Sequence, residues 1–293
     1  MSDNTTSLRT SSPTPQTTNL RHQLLLYLCE ATELGLFMLS ACTFAVLLFH
    51  PASAAVRTLP SPVVRRALMG MSMGITAVLI IQSRMGKLSG AHFNPAITLT
   101  FLRLGKIGVS DAIFYIAAQF IGGIVGVGLS VVVFGRALAS PGVDYVVTVP
   151  GVSGVPGAFT AEFFMAALLL SVVLWTSTRP RLARYTPHLI GILIALYVML
   201  LAPVSGFSIN PARTTASALF AHVWTSVWIY FTAPSLGMLL PAELYLRRFG
   251  KHPSTPCRPH SSLAADFHAH YFTHRHLTAH HRGFTKASLF SEH

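Results

Sequence analysis

Six long apolar runs distinguish this chain from ordinary soluble proteins. They cover roughly residues 23–49, 67–82, 112–134, 158–176, 189–204 and 223–246. Several reach about 20 residues, which is the length that an α-helix needs to cross a hydrocarbon core of about 30 Å. Only 10% of the 293 residues are charged, whereas soluble domains average about 25%. The pattern therefore predicts an all-α membrane protein with six transmembrane helices, and it excludes a disordered chain and a typical cytosolic enzyme.

Two short polar segments interrupt the apolar pattern and are similar to each other. Residues 89–98 and 205–214 lie 116 positions apart and share Ser, Gly, Asn, Pro, Ala and Thr at six of ten positions. Each segment follows the second apolar run of its half of the chain. Because three runs in each half invert the second half relative to the first, we expect the two segments to enter the membrane from opposite faces and to meet near its midplane.

The Asn-Pro-Ala sequence at the core of each segment predicts the start of a helix. Pro suits the first turn of a helix, and Asn is a favoured N-cap. About ten helix-compatible residues, or roughly 15 Å of helix, follow each of the two cores, Asn94-Pro95-Ala96 and Asn210-Pro211-Ala212. Two half-helices whose N-termini face each other would direct positive dipole ends into a polar cavity. With the two Asn amides facing a solute, this arrangement predicts a pore that repels cations and protons.

Basic residues are unevenly distributed around the spans. The chain has 21 Lys and Arg against 9 Asp and Glu. Ten of the basic residues flank the span ends on one side and four flank those on the other, so the richer side and both termini should be cytoplasmic. Basic residues at the ends of the spans favour contact with membrane lipid and argue against nucleic acid as a binding partner. Arg213 instead follows the second motif at membrane depth, where a charge indicates function; an ion pair with a buried Glu is the alternative.

Together these features resemble the aquaporin family of major intrinsic proteins. The resemblance covers roughly residues 23–250 and rests on two Asn-Pro-Ala motifs, each preceded by Ser-Gly and the second followed by Arg213, within six spans in two halves. It implies an aquaporin-like fold of six transmembrane helices plus two re-entrant half-helices in two inverted repeats, a pore in each subunit and a homotetramer. We expect no resident metal, because three widely spaced cysteines form no metal motif. We also expect no cofactor and no enzymatic activity, because an enzyme would need a nucleophile–base or metal set.

The resemblance extends to residues that hold the motif loops. In the family, one glutamate in the first span and one in the fourth accept backbone N–H groups of these loops, and Glu33 and Glu162 match them. Gln119 in the third span and His92 before the first motif also match. A local packing role, with hydrogen bonds within the loop, is favoured for His92 over a catalytic one. Such support is physically reasonable because a buried carboxylate must be hydrogen-bonded.

Four positions line the narrowest point of the pore in this family. Counting from the motifs places Arg213, Phe207 and Val198 there, with Gly74 as the fourth residue, or Met73 if the chain has a one-residue insertion. Strict water channels have His at the position of Val198, whereas Phe207 resembles the choice of glycerol facilitators. This selectivity filter is therefore atypical for a water channel.

Three other positions match water channels instead. They are Thr214, where facilitators carry Asp, the small residue Ala218, and the aromatic pair Tyr230-Phe231. The resemblance therefore implies passive conduction of water, with small uncharged solutes as further permeants and with protons and ions excluded. Two alternatives remain: a facilitator for glycerol or other small neutral solutes that passes water secondarily, and a non-conducting membrane scaffold or adhesion protein.

The two ends of the chain differ in composition from the channel domain between them. Residues 1–22 are rich in Ser, Thr, Pro and Asn and lack the apolar stretch of a signal peptide, which predicts a disordered cytoplasmic arm. Repeat one covers about 23–135 and repeat two about 158–250. Residues 251–293 contain nine of the 14 His and predict a disordered cytoplasmic tail, for which metal binding or a pH response are open alternatives.

Overall fold

The computed structural model describes residues 20–250, and this part of the chain is helical and without strands. Its helices, in chain order, are α1 (Leu20–Phe49), α2 (Ala54–Thr58), α3 (Pro62–Gln82), α4 (Arg84–Ser89), α5 (Pro95–Arg103), α6 (Val109–Phe134), α7 (Gly154–Ser177), α8 (Pro180–Ala183), α9 (Thr186–Ser205), α10 (Pro211–Ala221) and α11 (Trp228–Phe249). Short 3-10 turns at Gly135–Ala139 and Asp144–Val146 lie between α6 and α7. The predicted disordered arm and His-rich tail lie mostly or wholly outside the described residues.

Six of these helices are long, and two are half-length. By length and composition, five of the long helices could cross a membrane: α1, α3, α6, α7 and α9. The sixth, α11, has 22 residues but contains two prolines and ends in the basic pair Arg247 and Arg248. The half-length helices α5 and α10 follow the two Asn-Pro-Ala motifs. The predicted architecture of six long helices and two half-helices is confirmed.

The predicted span boundaries differ from the observed helices mainly at two places. Helix α3 begins at Pro62, five residues before the predicted start, so that its first turns include Arg65 and Arg66; long basic side chains can extend their charges towards water from such a position. Helix α11 begins at Trp228, because His222 adopts a left-handed conformation that ends α10 and a turn precedes the next helix.

Glycine contacts show how the two halves correspond. A Cβ atom on Gly122 of α6 would lie 2.0 Å from the carbonyl oxygen of Ala31 on α1, and one on Gly237 of α11 would lie 2.3 Å from that of Phe163 on α7. The helix pair α1–α6 of the first half therefore packs in the same way as the pair α7–α11 of the second. This correspondence aligns Ala31 with Phe163, and therefore Glu30 with Glu162.

The second long helices of the two halves pack directly against each other. A Cβ atom on Gly70 of α3 would lie 2.4 Å from the carbonyl oxygen of Ala195 on α9, and one on Gly74 would lie 2.3 Å from that of Gly191. Small residues allow such close helix contacts inside a membrane, where packing replaces the hydrophobic driving force. The two halves are thereby joined along the centre of the bundle.

We expect Gly122→Ala to destabilise the bundle and Gly128→Ala, on the same helix, to have a much smaller effect. An added Cβ at position 122 meets backbone, whereas at position 128 its nearest neighbour is the side-chain tip of Phe220, 3.3 Å away. Overpacking of a tight core costs about 1–3 kcal/mol. Thermal unfolding of the purified protein in detergent measures the difference. Equal unfolding temperatures for the two variants would contradict the proposed role of the α1–α6 contact.

Candidate functional site

The two Asn-Pro-Ala motifs meet inside the bundle through reciprocal hydrogen bonds. The Asn94 side chain donates from Nδ2 to the carbonyl oxygen of Ile209, at 2.8 Å, and the Asn210 side chain donates from Nδ2 to that of Phe93, also at 2.8 Å. The prediction that the two motif segments meet is confirmed. Each amide nitrogen has two N–H groups and uses one in this clasp, so the second can be offered to a molecule beside it.

The same asparagines begin the half-helices, as predicted. Asn94 Oδ1 accepts a hydrogen bond from the backbone N–H of Ala96 at 2.9 Å, and Asn210 Oδ1 accepts from Ala212 and Arg213 at 3.1 and 3.2 Å. Each side chain therefore uses its oxygen to cap its own helix and its nitrogen to hold the opposite loop. The capping fixes the direction of the amide, because the oxygen cannot turn away without leaving helix N–H groups unpaired.

The loops before the two motifs have the same unusual backbone. In the first loop Ala91 and Phe93 have φ of 53° and 29°, and in the second Phe207 and Ile209 have φ of 50° and 45°. Left-handed conformations of this kind cost L-residues roughly 1–2 kcal/mol each. Alternation between right- and left-handed residues turns successive N–H groups to one side, which creates a concave site for an anionic group. A buried carboxylate can therefore stabilise each loop.

A glutamate occupies this position in each half. Glu30 on α1 accepts from the backbone N–H groups of His92 and Phe93 at 2.9 and 2.7 Å. Glu162 on α7 accepts from those of Ser208 and Ile209 at 2.9 and 2.5 Å. The expected role of Glu162 is thus present in the structure. The first-half residue, however, is Glu30 and not Glu33, so that part of the sequence-based assignment was wrong.

The repeat geometry explains why Glu30 holds the first loop. Since Ala31 aligns with Phe163, Glu30 aligns with Glu162, and Glu33 aligns with Met165 in the second half. Glu33 lies one turn further along α1 and accepts instead from Ser89 Oγ at 2.8 Å. Its other carboxylate oxygen is buried and has no hydrogen-bond partner among residues 20–250. Sequence reasoning missed Glu30 because both glutamates lie within one apolar run.

Gln119 and His92 contribute to the support of the first loop, as the resemblance implied. Gln119 Nε2 donates to Glu30 at 2.7 Å and to Thr98 Oγ1 at 3.0 Å. The His92 ring nitrogen Nδ1 is 3.1 Å from the same threonine oxygen. All four side chains are buried. His92 therefore packs and hydrogen-bonds within the loop, which is the local role favoured for it above.

The second loop has an equivalent but chemically different network. Ser208 Oγ lies 2.5 Å from Thr214 Oγ1, which also lies 2.9 Å from Thr148 Oγ1. Ser208 corresponds to His92 and Thr214 to Thr98 by the spacing of 116 residues. Thr214, considered above as a marker of water channels, is 1% exposed and belongs to this support.

Two tyrosines anchor the residues at which the loops begin. The hydroxyl of Tyr115 donates to the carbonyl oxygen of Ser89 at 2.8 Å, and that of Tyr230 donates to the carbonyl oxygen of Ser205 at 2.6 Å. Both tyrosines are buried. The sequence indicated Tyr230 only as part of an aromatic pair, and it gave no prediction for Tyr115. Their separation of 115 residues, close to the repeat spacing, was the available signal.

A cavity of about 700 Å³ passes the meeting point of the motifs. Charged and polar residues line its two ends: Arg66 and Asp144 at one, Gln82, Lys87 and Arg184 at the other. Asn94 and Asn210 line the cavity as well, and most of its remaining wall is apolar. Since a water molecule occupies about 30 Å³ of liquid, the cavity has room for a file of water or small-solute molecules.

Four of the predicted filter residues line this cavity: Met73, Val198, Phe207 and Arg213. Gly74, the first choice for the fourth position, does not, because its Cα faces the backbone of Gly191 on α9. The alternative assignment, Met73, is therefore the one that fits the structure. The side chains of Val198 and Phe207 offer no hydrogen bonds, so in this set only Arg213 brings a polar side chain.

Arg213 is half-buried and lines the cavity without an ion-pair partner. In the described part of the chain the ion pairs are Arg103–Glu243, at 2.6 Å, and Arg247–Glu243, at 3.5 Å. The alternative of a structural ion pair between Arg213 and a buried Glu is therefore not found. Its Nη1 atom is buried and has no hydrogen-bond partner within residues 20–250. Arg213 lines the cavity, so the guanidinium N–H groups on its accessible side can donate to a molecule there.

Inverted helical repeats, two half-helices that meet at their N-termini, and a cavity beside them define a multi-pass membrane protein of the pore-forming class. The sequence model of the major intrinsic protein family matches residues 24–245. The chain therefore belongs to the major intrinsic protein family, and the resemblance stated from the motifs is confirmed.

Individual relatives are similar to different extents. The chain is 34% identical over 170 residues to a probable NIP-type aquaporin of Nicotiana alata, covering 57% of this chain and 61% of that protein. It is 28% identical over 222 residues to Aquaporin Z of Photorhabdus laumondii, covering 70% of this chain and 94% of that protein. The matched region thus spans about three fifths of the length of the NIP-type relative.

A solved structure shares the fold. The aquaglyceroporin from Plasmodium falciparum matches with a TM-score of 0.64 and 19% identity, over 76% of this chain and 95% of that one. At this identity the likeness concerns the arrangement of helices and not the solute.

We expect Glu30→Gln to weaken the first loop strongly and Glu33→Gln to be tolerated. An amide has one acceptor oxygen, whereas three N–H donors converge on the Glu30 carboxylate, and each hydrogen bond to a charged group contributes about 1.5–3 kcal/mol. A glutamine at position 33 still accepts from Ser89. Unfolding temperature in detergent and water permeability in liposomes measure both variants. Equal damage from the two substitutions would refute the distinction.

Proposed function

We propose that this protein is a passive transmembrane channel that conducts water and small uncharged solutes and excludes protons and ions. The observation that carries the proposal is the cavity beside the reciprocally bonded Asn94 and Asn210, whose polar ends are joined by a mainly apolar wall. Membership of the major intrinsic protein family, in which the similar proteins are aquaporins, supports a channel and not an enzyme.

The fixed direction of the asparagine amides supports exclusion of protons. Each amide oxygen is occupied by helix N–H groups, so Asn94 and Asn210 face the cavity as donors only. A water molecule beside them accepts with its oxygen and points its hydrogens away from the midplane. The N-termini of α5 and α10 add positive potential at the same place. A proton or cation therefore meets donors and positive dipole ends in the middle of its path.

The composition of the filter supports a permeant range wider than water alone. Met73, Val198 and Phe207 present apolar side chains, and Arg213 presents donors. A small polyol or amide can place its carbon skeleton against the apolar side and accept hydrogen bonds from Arg213. We therefore propose water and small neutral solutes of this kind as permeants, and glycerol facilitation with secondary water flux is the second candidate.

The arrangement in the cell follows from the charge distribution and the family. An even number of crossings brings both ends of the described bundle to the same face, and the excess of Lys and Arg at that face supports a cytoplasmic position for both termini. We propose a cell-membrane location, contact of the basic rim with lipid, and a homotetramer in which each subunit has its own pore.

Stopped-flow light scattering on proteoliposomes tests the proposal. An open channel gives fast osmotic shrinkage with a low activation energy, whereas a scaffold or adhesion protein gives the rate of empty liposomes. The same vesicles in a glycerol or urea gradient distinguish a water channel from a solute facilitator. Samples are compared at the same protein density in the vesicles. Thermal unfolding of each sample shows that the protein is folded, which excludes loss of flux through misfolding.

We expect Val198→His to lower glycerol permeability relative to water permeability. Histidine narrows the filter and adds a hydrogen-bonding ring, both of which disfavour a carbon skeleton. Val198→Leu serves as the matched control, because it adds bulk without a polar group. An unchanged ratio of glycerol to water flux in the histidine variant would show that position 198 does not belong to the filter.

We expect Arg213→Ala to admit protons or cations that the unchanged protein excludes. The substitution removes the fixed positive charge of the filter and widens it. A pH-sensitive dye inside the liposomes reports proton entry under an imposed gradient. Arg103→Ala is the control, because Arg103 lies in an exposed ion pair away from the cavity wall. The same proton leak in both variants would contradict the role of Arg213.

A further inference from the structure

Two methionines of α3 face the cavity. Met69 and Met73 both line it, and they share one face of the helix with Arg66, which lines the same cavity nearer its end. Spacings of three and four residues place side chains on one helical face. Met71, between them, points away, and its side chain is 55% exposed on the outside of the described chain, which would face lipid.

The remaining methionines of the bundle interior are placed differently. Met38, Met165 and Met238 do not line this cavity, and Met165 borders a separate recess between α7 and α9. Met38 and Met238 are enclosed by helix packing. Met73 is also buried, at 3% exposed, so it differs from Met38 and Met238 in bordering the cavity.

We propose that Met69 and Met73 are a modification site inside the pore, at which a small uncharged peroxide oxidises the thioether to a sulfoxide. The inference rests on the proposed function, since a passage for small neutral molecules is what brings hydrogen peroxide to these side chains. Sulfur attacks one peroxide oxygen, the O–O bond breaks, and the second oxygen leaves as water after proton transfer. The sulfur is oxidised by two electrons and the peroxide is reduced.

The surroundings of Met73 give the modification a consequence for transport. A sulfoxide is polar and its oxygen accepts hydrogen bonds, whereas the thioether is apolar. Arg213 lines the same cavity and its guanidinium can donate hydrogen bonds there. An oxygen atom added to Met73 narrows the cavity and, as an acceptor, competes with a solute for hydrogen bonds from the polar groups of the wall. Oxidation therefore lowers permeability.

Mass spectrometry provides a direct test with an internal control. Cleavage after Arg66 and Arg84 releases one peptide that contains Met69, Met71 and Met73, so fragment ions compare the three sulfurs within one molecule. Protein in liposomes is treated with millimolar hydrogen peroxide and digested at successive times. We expect sulfoxide at Met69 and Met73 before Met71 and before the enclosed Met38 and Met238. Equal rates at Met71 and Met73, or faster reaction at the enclosed methionines, would overturn the proposal.

Permeability measurements test the consequence on the same samples. We expect water flux after treatment to fall by at least about half relative to the untreated sample as the thioether becomes polar. Met73→Leu removes the reactive sulfur, so its treated-to-untreated ratio should stay near one, whereas Met71→Leu should respond like the unchanged protein. Dithiothreitol after peroxide reverses thiol oxidation at the buried Cys29 and Cys42 but not a sulfoxide. Recovery of flux with this reagent would contradict the role of Met73.

The outcomes distinguish this proposal from the proposed function. Selective oxidation of Met69 and Met73 in a protein without osmotic water flux would refute the channel and retain the modification site. Fast water flux with no preference among the methionines would retain the channel and refute the site.

Discussion

The reciprocal hydrogen bonds between Asn94, Asn210 and the opposite loop carbonyls are the contact on which the rest of the site depends. They join two half-helices that come from opposite faces and that separately span only half of the membrane. Irregular backbone at this depth has no water or lipid partner for its polar groups. Every N–H and carbonyl must therefore be used by the protein or by the contents of the cavity, and the clasp, the N-caps and the glutamates use many of them.

Buried glutamates stabilise the strained backbone of the two loops. The left-handed residues in the two loops are strained, and Glu30 and Glu162 stabilise them by accepting pairs of backbone N–H groups. The same backbone that directs N–H groups towards the carboxylates releases carbonyl oxygens for the opposite asparagines. Tyr115 and Tyr230 then fix the residue at which each loop begins. Each strained loop therefore bonds to its supporting side chains on one side and lines the cavity on the other.

Comparison of the halves shows where symmetry ends. The supports of the two loops correspond closely, but Glu33 has Met165 as its counterpart, and His92 has Ser208. The cavity wall is also asymmetric, since Arg213 follows only the second motif. Under the proposed function this asymmetry would matter for selectivity, because a single charged donor beside an apolar surface orients a solute in a way that two equivalent halves would not. The fold is therefore repeated, whereas the lining of the cavity is not.

The sequence by itself determined the membrane class, the inverted repeat and the half-helices, because apolar run length, an odd number of spans per half and an N-cap before proline act locally along the chain. It also indicated Arg213 through its place directly after the second motif, and Glu162 and Gln119 through the resemblance to the family. It did not distinguish Glu30 from Glu33 or Met73 from Gly74. The members of each pair lie within one turn of the same helix, so only helix packing shows which of them is in place. The packing of α1 against the first loop brings Glu30 to that loop. The close contact of Gly74 on α3 with Gly191 turns Met73 towards the cavity.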